Sequence, residues 1–559
     1  MSNNYICYTP VTTLIASQFN MLNIDNKTIG EIFTEAVKLW PNELFFISPR
    51  TNESPKFELS YSAAFERVKS YENSFTKAGY GYGERVALLV GNRVDHYLIK
   101  LAANNLGMSI VPLNPDSSPD EVLYILNDSN TILTITDEPH IASIRPIAEL
   151  TKNHIKIYNI DDISRSFPIC EKKYPILSIN PKSEASLLYT SGTTGHPKGC
   201  ILSHEYELMC GDSYRSIGPP VKLKINSDRI FNPLPSFHIN AGVLTFFASI
   251  LTGNCLVQPM RFSASTWWRD IEETKATVFH YLGVVIAVIL KKIKKTNVDL
   301  SSLRVGLGAG VEPALHEEFE NFFQVPLIEV WGMTEMCRLL AVNEEPRLIH
   351  TRAMGRPRPD LEVRVINENG IDLPIGSPGE MIVRHSEACP RKGAFSGYLG
   401  NEEATEYTWR GGWFHTGDTV VMDQSKMLYF IDRQKNIIRR AGENIAAAEI
   451  ENCILQNDVV LSVACIAVPD ELREEEVLAC IVLKNKNNNK QKTADTLFNH
   501  VYEKLAYFKA PGWILFIDKL PTTGTQKVLK HKIFPNNENP ITRPDVFDLR
   551  KFKIRKNHK

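Results

Sequence analysis

Apolar runs alternate with amphipathic segments up to about Gly355. Residues 85–90, 131–136 and 185–189 have the length and the aliphatic and β-branched content of buried strands. In residues 62–78 and 94–106, apolar side chains recur three or four positions apart, which is typical of helices that bury one face. Strands that alternate with helices predict parallel sheets covered by helices.

The pattern changes after Gly355. Residues 361–366, 379–384 and 426–431 are short β-rich segments separated by turns, which predicts a small β-rich subdomain.

Beyond residue 432 the patterns of helices and strands mix. We predict helices at 446–456 and 493–505 and strands at 461–468 and 479–484. The fold class is therefore predicted as α/β. A large N-terminal region contains parallel sheets, helices and the β-rich subdomain, and a smaller mobile α+β C-terminal domain follows it. The predicted domains are residues 1–431 and 432–559.

Composition narrows the possible partners. The 559 residues include 63 Lys and Arg against 64 Asp and Glu, so the net charge gives no general attraction to nucleic acid. Ten cysteines without a Cys-x-x-Cys pair argue against a zinc ribbon or a dense disulfide framework and favour a reducing compartment. Residues 1–23 lack the pattern of a secretory signal, so we predict a cytoplasmic protein.

Two segments could suggest other contacts. The most apolar window, residues 278–290, is shorter than the ~20 residues of a membrane-spanning helix, so we predict no transmembrane segment. We predict there a buried helix with a basic C-terminal end. Residues 550–559 carry six Lys or Arg, and we predict a frayed chain end there.

One loop has the composition of a phosphate-binding site. Residues 187–199 run from an apolar strand into a loop of hydroxyl residues and glycines that ends near Lys198. Glycines let backbone N–H groups point at an anion, hydroxyls donate hydrogen bonds and the lysine adds positive charge. The spacing is not that of a P-loop, because Pro197 stands where that motif has its second glycine. Taken alone, such a segment is more often an ordinary turn.

Five ordered segments resemble the signature motifs of the adenylate-forming enzymes, which include acyl-CoA synthetases, peptide-synthetase adenylation domains and luciferases. The first is Tyr189-Thr-Ser-Gly-Thr-Thr-Gly-His-Pro-Lys-Gly199. The others are Trp331-Gly-Met-Thr-Glu335, Gly412-Trp-Phe-His-Thr-Gly-Asp418, residues 432–444 and residues 520–527. Residues 237–239 and 263–269 are most similar to the medium-chain and carnitine or crotonobetaine CoA-ligase branch.

The resemblance implies a site for ATP. The loop and Lys198 would hold the β- and γ-phosphates, Thr334 would bind the α-phosphate, and Glu335 would hold Mg²⁺. Asp418 and Arg433 would bind the ribose, and residues 308–310 and 329–331 would form the adenine slot. The residues implied for ATP are Thr190, Ser191, Gly192, Thr193, Thr194, Gly195, Lys198, Gly308, Ala309, Gly310, Glu329, Val330, Trp331, Asp418 and Arg433.

The resemblance also implies a reaction in two steps. A carboxylate attacks the α-phosphate of ATP to give an acyl-adenylate and pyrophosphate, and a thiol then attacks that anhydride. Lys527 would contact the carboxylate and the α-phosphate in the first step. Rotation about a hinge near Lys435 would then bring Gly442 and Arg440 to the CoA tunnel.

Two residues in the C-terminal domain depart from the family pattern. Gln526 and Glu474 stand where many members have glycine.

Residues 237–242 are similar to the segment that borders the acyl pocket and the thiol tunnel. His238 is implied as the gating aromatic and as a catalytic residue, although on residue type alone it is more often a packed histidine. Asn240, Gly242 and Met333 are implied for the acyl pocket. Amino-acid-adenylating members carry Phe-Asp where this chain has Phe237-His238, so activation of an α-amino acid is disfavoured.

A trimethylammonium substrate would need an aromatic cage. Tyr281, Trp331 and Trp267 are candidates by residue type, and each is predicted rather to be a core residue.

We therefore predict an ATP-dependent acyl-CoA synthetase that uses ATP, Mg²⁺, CoA and a small-molecule carboxylic acid. One alternative transfers the acyl group to a carrier protein, and dependence on free CoA would separate the two. A second alternative is a nucleotide-binding protein without turnover. It is disfavoured because Lys198, Thr334, Glu335, Asp418, Arg433 and Lys527 are all present.

Overall fold

The fold is taken from a computed structural model. The structure describes residues 22–162, 166–171, 178–190, 197–292, 298–311, 313–433, 437–485, 489–521, 528, 530, 533–534 and 538–555. Within these ranges the strands form four sheets.

The first sheet is parallel in its centre and antiparallel at both edges. Its spatial order is Met336–Ala341, Leu327–Met333, Val305–Ala309, Val278–Leu282, Arg229–Phe231, Cys255–Val257, Leu44–Ser48 and Phe57–Ser60. The central strands are apolar along most of their length because helices cover both faces of such a sheet.

The second sheet combines parallel strands with an antiparallel edge. Its spatial order is Gly397–Tyr398, Lys198–Ser203, Glu184–Thr190, Ser109–Pro112, Arg85–Leu89, Leu133–Thr136 and Lys156–Asn159. The hydroxyl-rich loop therefore connects two antiparallel strands, Glu184–Thr190 and Lys198–Ser203. Antiparallel strands need only a short connection, whereas parallel strands need a crossover.

The β-rich subdomain is an antiparallel sheet. Its spatial order is Ala353–Gly355, Leu428–Arg433, Phe414–Met422, Gly379–Arg384 and Glu362–Ile366. The chain leaves this sheet at Arg433 and enters the sheet of the C-terminal domain at Ile437.

The C-terminal sheet contains Glu443–Ala446, Ile437–Arg440, Glu474–Leu483, Trp513–Phe516 and Val546–Asp548 in spatial order, and Val460–Asp470 also pairs with Glu474–Leu483. It has a hydrophobic core of its own, which includes Ile438, Val477 and Phe498. A separate core is what allows a domain to move as a unit.

Helices cover the sheets and begin at recognisable caps. Ser118 and Thr28 each form a capping box with the glutamate three positions later, Glu121 and Glu31. The α-helices are Ile29–Leu39, Tyr61–Ala78, Val94–Asn105, Pro119–Asp128, Glu138–Leu150, His204–Arg215, Phe246–Thr252, Trp267–Thr274, Gly283–Lys292, Pro313–Phe323, Glu402–Thr408, Ala447–Leu455 and Lys490–Lys504. A π-helical turn, Asn240–Thr245, and 3₁₀ turns at Arg410–Gly412, Tyr507–Lys509, Pro540–Thr542 and Arg550–Phe552 complete the helical segments of these ranges.

The fold class is confirmed, and two local predictions are wrong. Residues 278–290 begin as the strand Val278–Leu282 and continue as the helix Gly283–Lys292, because Gly283 packs against the Gly310 carbonyl and the chain turns there. The basic tail is not frayed in its described part. Lys553 is buried against Glu476, and Arg550 stacks on Trp513.

No helix in the described ranges combines the length and the apolar character that crossing a bilayer requires.

Candidate active site

A cleft of about 2330 Å³ lies where the N-terminal sheets, the β-rich subdomain and the C-terminal domain meet. Thr190, Leu282, Ala309 and Met333, each at the carboxyl end of its strand, line it. Open α/β sheets bind their ligands outside the carboxyl ends of the strands. The topology therefore makes this cleft the candidate active site.

Most described residues predicted for the site line this one cleft. They are Thr190, Lys198, His238, Asn240, Ala309, Gly310, Glu329, Val330, Trp331, Met333, Thr334, Glu335 and Gly442. The predicted residues Gly242, Gly308, Asp418 and Arg440 lie behind its surface. Residues Ser191, Gly192, Thr193, Thr194, Gly195, Lys435 and Lys527 lie outside the described residues, and of Arg433 only the backbone is described.

One end of the cleft brings a cation, a hydroxyl and a carboxylate together. The Lys198 ammonium lies 5.0 Å from the centre of the Tyr398 ring, and the Tyr398 hydroxyl donates to Glu335 Oε1 at 2.9 Å. The Thr334 carbonyl accepts from the Tyr206 hydroxyl at 2.7 Å, which fixes the backbone between Thr334 and Glu335. These contacts orient groups that suit phosphate oxygens and a hard cation.

Glu329 forms a rigid wall beside this end. Its carboxylate accepts from the Tyr281 hydroxyl and from the Gly310 backbone N–H, each at 2.7 Å. Burial raises the pKa of Glu329 to about 7. Gly308 lies behind the wall, since a Cβ there would be 2.3 Å from the Tyr281 carbonyl oxygen.

Trp331 connects the first sheet to the β-rich subdomain. Its indole N–H donates to Asp418 Oδ2 at 2.8 Å, and both side chains are buried. Gly417, next to Asp418, lines the cleft. Of the three aromatic candidates for a trimethylammonium cage, Tyr281 and Trp267 are buried core residues, whereas Trp331 is mostly buried but lines the cleft.

His238 and Asn240 line the part of the cleft that meets the C-terminal domain. The His238 side chain is 42% exposed, but its Nε2 is buried, and burial lowers the pKa of the imidazole to about 4. Asn240 begins the π-helical turn that follows. Gly242 lies on the far side of that turn, because a Cβ there would be 2.1 Å from the Ser236 carbonyl oxygen.

The C-terminal domain closes this part of the cleft with the hairpin of strands Ile437–Arg440 and Glu443–Ala446. Glu443 Oε2 lies 3.8 Å from His238 Nε2, and a Cβ on Gly442 would be 2.5 Å from Leu282 Cδ1. Arg440 points the other way, into the domain, and pairs with Glu476 at 2.7 Å. Arg439 lines the cleft instead.

Sequence reasoning missed an ionic cluster between the two domains. The Lys509 ammonium, in the C-terminal domain, pairs with Glu449 of the same domain at 2.9 Å and with Glu121 of the N-terminal region. Arg555 pairs with Asp116 across the same boundary. Glu121 and Lys509 are 388 positions apart, so no local pattern could have signalled the contact.

Glu474, one of the two departures from the family pattern, has a backbone conformation that favours glycine. Its φ is +67°, a backbone conformation that glycine adopts without strain, and this chain keeps it with a glutamate.

Within the described ranges, no group of three or more His, Cys, Asp or Glu side chains could form a metal cage. The single carboxylate of Glu335 fits a Mg²⁺ ion that is also bound by phosphate groups. Nucleotide enzymes usually hold this ion in that way.

The fold and this site define a nucleotide-dependent enzyme, and comparison with known proteins names its class. The chain belongs to the AMP-binding enzyme family: that family's profile matches residues 33–399, and the profile of the AMP-binding enzyme C-terminal domain matches residues 449–527.

Curated relatives are CoA ligases. The chain is 27% identical over 515 residues to a sulfoacetate–CoA ligase of Cupriavidus necator, covering 90% of this chain and 97% of that protein. It is 26% identical over 488 residues to a crotonobetaine/carnitine–CoA ligase of Salmonella arizonae, covering 85% and 92%.

Solved structures share the fold. A double mutant of o-succinylbenzoate CoA synthetase from Bacillus subtilis, bound with its product analogue, has a TM-score of 0.77 and 24% identity, covering 89% of this chain and 97% of that one. The same synthetase in complex with its acyl-adenylate intermediate has a TM-score of 0.63 and 23% identity, covering 92% and 100%.

Proposed function

We propose that this protein is an ATP-dependent acyl-CoA synthetase, an acid–thiol ligase that forms AMP. In the first step a carboxylate oxygen of the acid bonds to the α-phosphorus of ATP, and the bond from that phosphorus to pyrophosphate breaks. In the second step the sulfur of CoA, having lost its proton, bonds to the acyl carbonyl carbon, and AMP leaves. The observation that carries the proposal is the single cleft lined by Lys198, Glu335, His238 and Gly442.

The end of the cleft near Lys198 would bind the phosphates. Thr190 and Lys198 flank the hydroxyl-rich loop, and the lysine supplies the positive charge that a triphosphate needs. Thr334 would bind the α-phosphate, and Glu335 would hold Mg²⁺ together with phosphate oxygens. When bound, that ion would neutralise part of the phosphate charge.

The corner between the first sheet and the β-rich subdomain would bind the nucleoside. Asp418, held by the Trp331 indole, would accept hydrogen bonds from ribose hydroxyls. Ala309, Gly310 and Glu329 would form the wall beside the adenine, where the fixed carboxylate gives a rigid edge.

We assign the domain arrangement in this structure to the second step. The hairpin tip at Gly442 and Glu443 lies beside His238 and Leu282, which line the cleft. For the first step we propose a rotation near Lys435 that brings Lys527 to the carboxylate and the α-phosphate.

The test of the proposed function is pyrophosphate release with ATP, Mg²⁺ and a panel of carboxylic acids, with and without CoA. We expect at least one acid to give pyrophosphate and, when CoA is added, the thioester and AMP. If ATP binds but no acid gives pyrophosphate, the alternative of a nucleotide-binding protein without turnover would be supported.

Lys527 provides an internal check. Replacing it by alanine removes the positive charge that the first step requires, so we expect pyrophosphate release to fall by about 10²-fold or more while ATP binding is kept. Normal pyrophosphate release from Lys527→Ala would contradict the role that we give to this lysine.

A carrier protein is the second acceptor to consider. If the acid is adenylated but CoA gives no thioester, the thiol of a carrier-protein phosphopantetheine arm becomes the preferred acceptor, and the same assay with a carrier protein tests it.

A further inference from the structure

The acyl end of the cleft contains an amide group whose orientation is fixed by the protein. Asn232 is fully buried, and its Oδ1 accepts from the Leu234 backbone N–H at 3.0 Å. A backbone N–H can only donate, so the Asn232 Nδ2 must face the other way. That nitrogen donates to Asn240 Oδ1 at 2.8 Å and to Thr245 Oγ1 at 2.8 Å.

The orientation of Asn240 follows from this chain of hydrogen bonds. Its Oδ1 is occupied as an acceptor by Asn232, so the Nδ2 with its two N–H groups takes the other position of the amide. Asn240 lines the cleft, two positions after His238. The side chain can therefore offer the two N–H donors of Nδ2 to a bound acyl group.

A π-helical turn holds this amide in place. The turn Asn240–Thr245 brings its first and last residues to the same partner, the Asn232 amide. Gly242 lets the turn lie directly on the Ser236 carbonyl, which a Cβ would approach to 2.1 Å. Single π-helical turns are frequent at functional sites because they redirect side chains.

The neighbouring wall is apolar. Ile239 and Leu244, on the same segment as Asn240, line the cleft, as does Met333 at the end of its strand, and all three are buried in or packed against the hydrophobic core. A donor set into such a wall loses water when an acyl chain covers it, and it must then find a new acceptor.

We infer that the acyl pocket selects carboxylic acids whose acyl part carries an oxygen acceptor, such as a ketone, hydroxyl or ether oxygen, and that Asn240 is the residue that recognises it. This inference rests on the proposed function and gives it a substrate class. An unsubstituted alkyl chain leaves the Asn240 N–H groups without a partner. A site built to hydrogen-bond its substrate rejects the analogue that lacks the partner.

The experiment uses pairs of acids of equal length. Straight-chain fatty acids are compared with the corresponding acids that carry one ketone oxygen, the ketone being moved along the chain. We expect kcat/KM for pyrophosphate release to be about tenfold to a hundredfold higher for the ketone acid at the matching position. Isothermal titration calorimetry with the same pairs measures the preference without turnover.

Two variants identify the residue. Asn240→Leu keeps a similar volume and removes the donors, so we expect the ratio between the two acids to fall to about one, mostly through a higher KM for the ketone acid. Asn240→Asp keeps the acceptor for Asn232 and replaces the donors by an oxygen, so the ketone acid should again lose its advantage. Asn343→Leu makes the same chemical change outside the cleft, and the ratio should not change.

The outcomes separate this inference from the proposed function. Equal kcat/KM and equal binding for every pair, or an unchanged ratio in Asn240→Leu, would overturn the role of Asn240 while acyl-adenylate formation stands. If no acid gives pyrophosphate but calorimetry shows a preference that Asn240→Leu abolishes, the proposed function is overturned and the role of Asn240 in recognition is supported. If no acid gives pyrophosphate and calorimetry detects no preference between the paired acids, neither proposal holds.

Discussion

Gly442 is held in a conformation and a position that exclude a side chain. Its φ is +86°, and a Cβ would be 2.5 Å from Leu282 Cδ1 on the other side of the cleft. The absence of a side chain at Gly442 therefore lets Leu282 pack against the hairpin tip in the present arrangement.

We predict that Gly442→Leu blocks the second step alone. The added side chain would collide with Leu282, so thioester formation should fall by about tenfold or more while pyrophosphate release stays within about twofold. Gly370→Leu is the matched control, because Gly370 also has a positive φ but nothing lies within 4 Å of a Cβ there. Equal losses in both half-reactions would show that the variant acts through stability.

Glu443 gives this arrangement a dependence on pH. Burial raises its pKa to about 7. The arrangement that buries Glu443 is favoured while this carboxyl is protonated. The advantage is lost as the pH rises from the ordinary pKa of a glutamate toward 7, because the buried carboxyl must then ionise. The charged groups around it are Lys509 and Arg440, which lower its pKa, and Asp116 and Glu121, which raise it, while His238 lies 3.8 Å away.

We therefore expect the ratio of thioester formation to adenylate formation to fall as the pH rises from about 4.5 to 7 and to level off above it. Glu443→Gln mimics the protonated form and should flatten this part of the profile. Stopped-flow measurement of the two half-reactions checks the prediction, with the exposed Glu387→Gln as control. Superimposable profiles for the variant and the original protein would refute it.

At the scale of elements, strand Val305–Ala309 depends on glycine to approach its neighbour. A Cβ on Gly308 would lie 2.3 Å from the Tyr281 carbonyl oxygen and 2.5 Å from its ring, and Tyr281 in turn fixes Glu329. The resemblance assigned Gly308 to the adenine slot. In the structure it lies behind the cleft surface and packs against Tyr281.

We predict that Gly308→Ala lowers the free energy of unfolding by about 1–3 kcal/mol, because overpacking forces the strands apart. It should also raise KM for ATP through the displaced Glu329. Thermal unfolding and ATP kinetics measure the two effects. Gly91→Ala, where a Cβ would meet only a methionine methyl at 3.8 Å, should leave both unchanged.

Local patterns predicted most elements because strand and helix periodicities are properties of neighbouring residues. The strand Glu184–Thr190 and the helix Ala447–Leu455 lie within a few residues of their predicted positions. The boundary inside residues 278–290 was missed, since apolar residues fill both the strand and the helix and only the packing of Gly283 separates them.

Residues that lie within a sequence motif could be located at the cleft from the sequence, whereas contacts that depend on tertiary structure could not. Thr334 and Glu335 are found at the cleft as the resemblance implies. Whether Arg439 or Arg440 lines the cleft depends on which face of the hairpin points toward it. The hydrogen bond between Asn232 and Asn240 depends on tertiary structure. Sequence order alone fixes neither.

At the scale of the whole molecule, Lys509 joins the two domains. Burial acts to lower its pKa, but the charges of Glu121 and Glu449 outweigh burial and the pKa lies above its usual value. Breaking a buried ion pair costs more than the pair contributes, because the remaining charge stays buried without its partner.

We predict that Lys509→Met shifts the protein away from this arrangement. Two carboxylates would then face each other across the domain boundary, so thioester formation should fall by about tenfold with pyrophosphate release largely kept. Lys504→Met, on the same domain but paired only with Gln456, is the control. Small-angle scattering of both variants reports the domain positions, and an unchanged profile with unchanged rates would contradict the prediction.

The capping box of helix Pro119–Asp128 has a consequence for the balance between the two domain positions. Glu121 accepts from the Ser118 backbone N–H at 2.7 Å, so it keeps a partner after Lys509 has left, while Lys509 and Glu449 leave together. Separation would thus leave Glu121 hydrogen-bonded and Lys509 paired, while Asp116 and Arg555 would part. The two populations can then lie close in free energy, and each tenfold difference in ligand affinity between them shifts their ratio tenfold.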